Sequence, residues 1–156
     1  MNRMGLRLLP DNFDNQQRGH PLALWLFYLA TIVTVGRSLA HIFLADGGAQ
    51  SIATIPLDQF TPEGAASVVS MFAFWGLSQL LLAVIMVLVA LRYRSMIPLM
   101  YLLILLEYGG RIAIGMIKPL ALSDTPPGAI GNLVFILIAM VGLVLSMQTV
   151  NSPRDK

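Results

Sequence analysis

The stretch ASVVSMFAFWGLSQLLLAVIMVLVAL, Ala66 to Leu91, carries no charged side chain from end to end. About 20 predominantly apolar residues suffice for a helix to cross the roughly 30 Å of hydrocarbon in a bilayer, and this run exceeds that length. Three further segments read the same way: about Leu22 to Ala45, about Met96 to Ile117 and about Ala129 to Gln148. The expected fold is all-α, an integral membrane four-helix bundle. It forms one transmembrane domain over residues 1–156, with residues 1–20 as a tail. The first span is too long for the apolar core of a signal peptide, and a cut after Ala45 would put Phe43 where a small residue is needed. It reads as a retained anchor.

Composition agrees. The chain is 56% hydrophobic and only 12% charged, whereas soluble domains run near 25% charged. So few charges cannot coat a water-soluble globule of this size. Cysteine is absent, which excludes disulfides, thiolate metal sites and cysteine nucleophiles. No phosphate-binding glycine loop, nucleophile elbow or zinc motif appears, and no basic stripe supports nucleic-acid binding. Only His20 and His41 exist, at opposite ends of one span, and the carboxylates show no ligand spacing. Neither a metal nor another cofactor is expected.

Charge placement gives a direction. Arg3, Arg7, Arg18, Arg92, Arg94, Arg154 and Lys156 fall in the two tails and the connection between the second and third spans. The other two loops hold only Lys118, together with Asp46, Asp58, Glu63 and Asp124. By the positive-inside bias, both termini should be cytoplasmic. The first 20 residues are polar but include Met4, Leu6, Leu8, Leu9 and Phe13. They suit either a disordered tail or a short interfacial helix broken at Pro10.

Both acidic loops end in helix-start chemistry. Thr61-Pro62-Glu63 offers a capping hydroxyl, a proline for the first helical position and a carboxylate for the positive end of the dipole. Ser123-Asp124-Thr125-Pro126-Pro127 offers the same ahead of the fourth span. Gly36-Arg37 and Gly110-Arg111 each precede one of these loops, so the order Gly-Arg, loop, Thr-Pro-x-Gly-Ala occurs twice. That repetition suggests two related helical hairpins.

Each span also carries one stripe at alternating three- and four-residue spacing, which keeps side chains on one helix face. The stripes are Ala23, Phe27, Ala30, Thr34, Arg37 and His41; Phe72, Trp75, Gln79, Leu82 and Met86; Met100, Ile104, Glu107 and Arg111; and Asn132, Phe135, Ala139, Gly142 and Ser146. A charge at mid-bilayer costs roughly 2.5 to 3.5 kcal/mol on insertion scales, so Arg37, Glu107 and Arg111 must face the bundle interior, a partner or a ligand. Their levels match, at about 1.5 Å per residue, in the half of the bundle nearest the acidic loops. Two arginines against one carboxylate leave a positive charge unless Asp46, Asp58, Glu63 or Asp124 folds in. One reading is a salt-bridged core, with Arg37 reaching across to the Glu107–Arg111 pair. The other is a ligand site built from Arg37, His41, Phe72, Trp75, Gln79, Glu107, Arg111 and Asn132. Tyr101 and Tyr108 read as interface anchors or bundle packing.

Arg92-Tyr93-Arg94 and Glu107-Tyr108-Gly109-Gly110-Arg111 together resemble the small four-helix bacterial inner-membrane proteins called DoxX-like. The resemblance implies the four-span architecture and the location, and transfers no functional residue. The four-span plan is also similar to the sterol isomerase and emopamil-binding group, again without carrying chemistry across. The expected function is binding of an amphipathic ligand (a lipid, quinone or isoprenoid) in a polar pocket. The alternatives are a structural accessory subunit pairing with a membrane-protein partner or with further copies of itself, and a membrane-embedded enzyme acting on a lipid-like substrate.

Overall fold

A computed structural model describes residues 8–148, and the outermost residues of both tails, with Arg3, Arg7, Arg154 and Lys156, lie outside it. Four helices carry the chain: α1 (Pro21–Phe43), α2 (Pro62–Arg92), α3 (Ile97–Ile117) and α4 (Pro127–Met147). Each is long and apolar enough to cross a membrane. The helix starts follow from local chemistry. His20 caps α1, its Nδ1 accepting from the Leu22 N–H at 3.1 Å, and Pro21 follows at the first position. Thr61 caps α2 by accepting from the Gly64 N–H at 3.2 Å, with Glu63 in the first turn. The α4 start departs from expectation. The cap is Pro126 and no side chain accepts a hydrogen bond there, because the helix begins at Pro127 and leaves Thr125 one residue too early.

The packing order is not the chain order. α2 lies along α1, α1 against α4, and α4 against α3, whereas α2 and α3 touch only sparingly although a single tight turn at Arg94–Met96 joins them. Two hairpins, α1–α2 and α3–α4, therefore meet through α1 and α4. The end holding Arg92 and Arg94 is here the turn end, and the end holding Asp46 and Asp124 is the loop end.

The tightest packing is near the turn end. Tyr101 is fully buried, and its hydroxyl donates to the Ala23 carbonyl at 2.6 Å. Its ring presses against Gly142, where a Cβ would overlap the ring carbons. Phe27 meets Tyr101 edge-on at 5.7 Å, and Ala30, Met86, Met100, Ile104 and Ala139 complete the core. Small residues let the helices close, as lipid-embedded packing requires. Gly76 does this for α1 and α2, since a Cβ there would come within 2.7 Å of the His41 Cβ. Thr31, Thr34 and Ser38 turn their hydroxyls back onto α1's own carbonyls at 2.7 Å, so this polar face packs without demanding partners from α2.

The expected interfacial helix ahead of Pro10 lies mainly outside the described residues, and residues 9–20 are not helical. They cross the turn end as a strap. Ser95 Oγ accepts from the Asp14 N–H at 3.1 Å and donates to the Asp14 carbonyl, and the His20 N–H donates to the Leu145 carbonyl at 2.9 Å. Gly19 sits so close to Ser146 that a side chain there would strike its backbone.

The ring against Gly142 gives a direct test. Gly142→Leu forces a large side chain into the Tyr101 ring, and overpacking of this kind costs about 1–3 kcal/mol. The thermal midpoint in mild detergent should drop clearly, while Val144→Leu on the exposed face of α4 should leave it unchanged. Equal midpoints for the two variants would refute this packing.

Candidate functional site

Towards the loop end the helices part around a cavity of about 510 Å³, within the few hundred to 1,000 Å³ of small-molecule sites. Arg37 and His41 come from α1, Phe72 and Trp75 from α2, Arg111, Ile114, Gly115 and Lys118 from α3 and its end, and Gly128, Ala129 and Asn132 from α4. Ile52, Ala53, Leu120, Leu122 and Pro126 roof it. The two loops are stitched together: Ser123 donates through its N–H and Oγ to the Thr54 carbonyl, and Thr54 Oγ1 donates to the Asp124 carbonyl at 2.8 Å. Thr54 holds a φ of +56°, a left-handed conformation that β-branched residues rarely adopt. These cross-loop bonds hold it there.

Six of the eight expected site residues line this one cavity: Arg37, His41, Phe72, Trp75, Arg111 and Asn132. Glu107 and Gln79 do not. Glu107 sits behind Arg111 and forms its ion pair one turn along α3. Gln79 is buried one turn further from the loops than Trp75, and its Oε1 has no hydrogen-bond partner.

The two arginines are held in unlike ways. The Arg111 guanidinium is paired with Glu107 and lies between two rings, 4.6 Å from the Trp75 centroid and 4.5 Å from that of Tyr108. That cation–π stack is what spans the sparse contact between α2 and α3. Arg37 has no carboxylate. Its Nη1 donates to the Tyr108 hydroxyl at 3.2 Å and to Asn132 Oδ1 at 3.4 Å, both neutral oxygens. The expectation that Arg37 reaches across to Glu107 is therefore corrected: it reaches α3 one residue further on, at Tyr108. No loop acid comes to it either, since the ion pairs among the described residues are Arg18–Asp14 and Arg111–Glu107.

His41 is 2% exposed, stacked on Trp75 at 4.7 Å and edge-on to Phe72 at 5.6 Å. Its Nδ1 lies 2.7 Å from the Gly47 carbonyl. A carbonyl can only accept, so Nδ1 carries the proton and Nε2 offers a lone pair. Nε2 has no protein partner, and neither does Arg111 Nη1. These atoms and Gln79 Oε1 are the orphaned buried side-chain polar atoms among the described residues, and two of the three belong to cavity residues.

Tyr108 is the functional candidate that helical spacing alone places in the site. Tyr101, Ile104, Tyr108 and Arg111 follow the three- and four-residue rhythm, and Tyr101, Ile104 and Tyr108 are buried, which leaves Glu107 at the edge of that face. The roof residues had no signal in the sequence, because loop-to-loop bonds bring them there. A smaller cleft of about 210 Å³ lies under the strap. Its arginines are already engaged, Arg18 with Asp14 and Arg94 with the Ala90 carbonyl. No group of three or more potential metal ligands occurs among the described residues.

Comparison of the chain with protein-family models, with curated proteins and with solved structures finds no match. The geometry of the cavity is therefore the ground for any functional assignment.

The roof contains one group with a clear pH signature. Burial pushes the Asp46 carboxyl up, but the backbone N–H groups of Ser51, Gly48 and Gln50 together outweigh this and hold it at about 2. A carboxyl depressed on folding stabilises the fold above its unfolded value near 3.9, and that contribution is lost as pH falls towards 2. Amide exchange at Gln50 and Ser51 should therefore speed up between pH 4 and pH 2 more in the wild type than in Asp46→Asn. Identical acid profiles would rule the carboxylate out as the loop's anchor.

Proposed function

We propose that this protein is a small multi-pass membrane protein that binds an amphipathic molecule, a lipid, quinone or isoprenoid, in the loop-end cavity. The observation that carries the reading is Arg37. It is a permanent cation within a membrane span, on the wall of a cavity, satisfied only by a phenol and an amide. In a purely structural network each buried charge would have its counter-ion, as Arg111 has in Glu107. Phe72, Trp75, Ile114 and Leu122 would hold the apolar part of the ligand, and Arg37 with the unpartnered Arg111 Nη1 its polar head. The charge bias of the loops supports a loop end facing away from the cytoplasm; the setting we propose is a bacterial inner (plasma) membrane.

The alternatives have less support. An accessory subunit would use its polar groups on partner helices, yet these polar groups line a cavity inside the chain. An enzyme acting on a lipid would have His41 Nε2 as a base.

Two variants separate ligand site from structural core. Breaking a fully buried ion pair from one side costs about 3–5 kcal/mol, and the partly exposed Glu107–Arg111 pair should lie near or below the lower limit. Glu107→Gln should still lower the melting temperature. Arg37→Gln orphans no charge, so it should fold normally and lose whatever lipid-like molecule the wild type carries through purification, as read by mass spectrometry. If Arg37→Gln melts as early as Glu107→Gln and the wild type carries nothing, the cluster is structural. Orientation is checked on intact spheroplasts with an impermeant maleimide. A cysteine at Ser51 should be labelled and one at Asn15 in the strap should not; the reverse pattern inverts the topology.

A further inference from the structure

The charges around the cavity do not balance, and the imbalance has a sign. Its wall carries Arg37, Arg111 and Lys118 and not one carboxylate. Glu107 neutralises Arg111 from behind. Arg37 and Lys118 form no ion pair among the described residues, and the nearby roof acid Asp46 is committed to three N–H groups of its own loop. The first turn of α4, at Gly128 and Ala129, also lines the cavity and brings no acid to it, its N–H groups being taken by the Ile52 and Pro126 carbonyls. A neutral head group would leave two cations at the membrane boundary uncompensated. Two guanidinium groups over the Tyr108 ring, with an ammonium further along the cavity wall, match the oxygens of a phosphate instead.

The way in is equally specific. α2 and α3 barely touch. Every residue from 112 to 125 is exposed, including the cavity residues Ile114, Gly115 and Lys118. A roof closes the cavity towards the loop side, while its flank between α2 and α3 opens on the side where lipid chains lie. Arg37 stands six residues before the end of α1, about 9 Å below the helix end, and Lys118 lies at the α3 terminus. A head group held between them would sit close to the membrane boundary.

Resting on the cavity reading above, we infer that the ligand is a membrane lipid with an anionic phosphate head group. Its phosphate is bound by Arg37 and the unpartnered Arg111 Nη1, with Lys118 at the mouth adding to the attraction, and its chains leave between α2 and α3. Arg111, clamped by Glu107, Trp75 and Tyr108, is fixed in place and offers only its Nη1, whereas Arg37 is the cation without a carboxylate.

Phosphatidic acid and diacylglycerol of identical chains differ only in the phosphate. Native mass spectrometry of the full chain in neutral detergent micelles should show phosphatidic acid retained at least tenfold better than diacylglycerol. Lys118→Gln, at an exposed position that does not endanger folding, should cut that preference severalfold, and Arg37→Gln should abolish it. Arg92→Gln, at the turn end, should leave it intact. Equal retention of the two lipids would overturn the phosphate assignment while leaving the cavity reading standing. Failure to retain phosphatidic acid, diacylglycerol or ubiquinone would remove both. Loss of the preference in Arg92→Gln but not in Lys118→Gln would move the site to the turn end and refute this one. Displacement of the lipid by equimolar glycerol 3-phosphate would show a soluble phosphate ester to be the ligand and overturn the lipid source.

Discussion

Everything else in the bundle is arranged around the nesting of the Tyr101 ring on Gly142. One side chain of α3 fills a gap on α4 that exists only because residue 142 has no Cβ, and then passes its hydroxyl to the Ala23 carbonyl of α1. Three helices are thereby fixed to each other at one level. In lipid, where no hydrophobic drive brings helices together, close van der Waals contact and a satisfied buried hydroxyl must supply the association. The half of the bundle holding this contact is dense, and the opposite half is free to open.

That opening explains the odd company of the charged residues. α2 and α3 are neighbours in sequence yet nearly strangers in space, and the Trp75–Arg111–Tyr108 stack stands where a packed helix interface would otherwise be. Holding a guanidinium between two rings with a carboxylate behind it costs less than leaving it against lipid. Arg37 belongs to the corresponding position of the first hairpin but has been given neutral partners. The two Gly-Arg sequences thus lead to one cation that has a counter-ion and one that does not.

Much of this was legible in the sequence. The four spans emerge from hydropathy within a few residues, because length and apolarity alone decide them. The α1 and α4 faces were readable because small and polar residues there recur at helical spacing, and Ala23, Phe27, Ala30, Thr34 and His41, like Phe135, Ala139, Gly142 and Ser146, are buried. The α3 face was read about one residue off. Glu107 drew attention by its charge, while Tyr108 beside it holds the buried position and bonds Arg37. The pairing order of the helices and the roof over the cavity were not legible at all. Both depend on contacts between residues far apart in the chain, such as Thr54 with Ser123, and no local pattern encodes them.

The strap has a consequence for biosynthesis. Asp14 and His20 are made before α1, yet their partners are Ser95, at the head of α3, and Leu145, at the end of α4. At roughly 5–20 residues per second, synthesis separates donor from acceptor by many seconds. The earliest described part of the chain must therefore wait, unpaired, until the last helix is in place. Its closure marks the insertion of α4, so a chain stopped after α3 would still expose its strap to proteases.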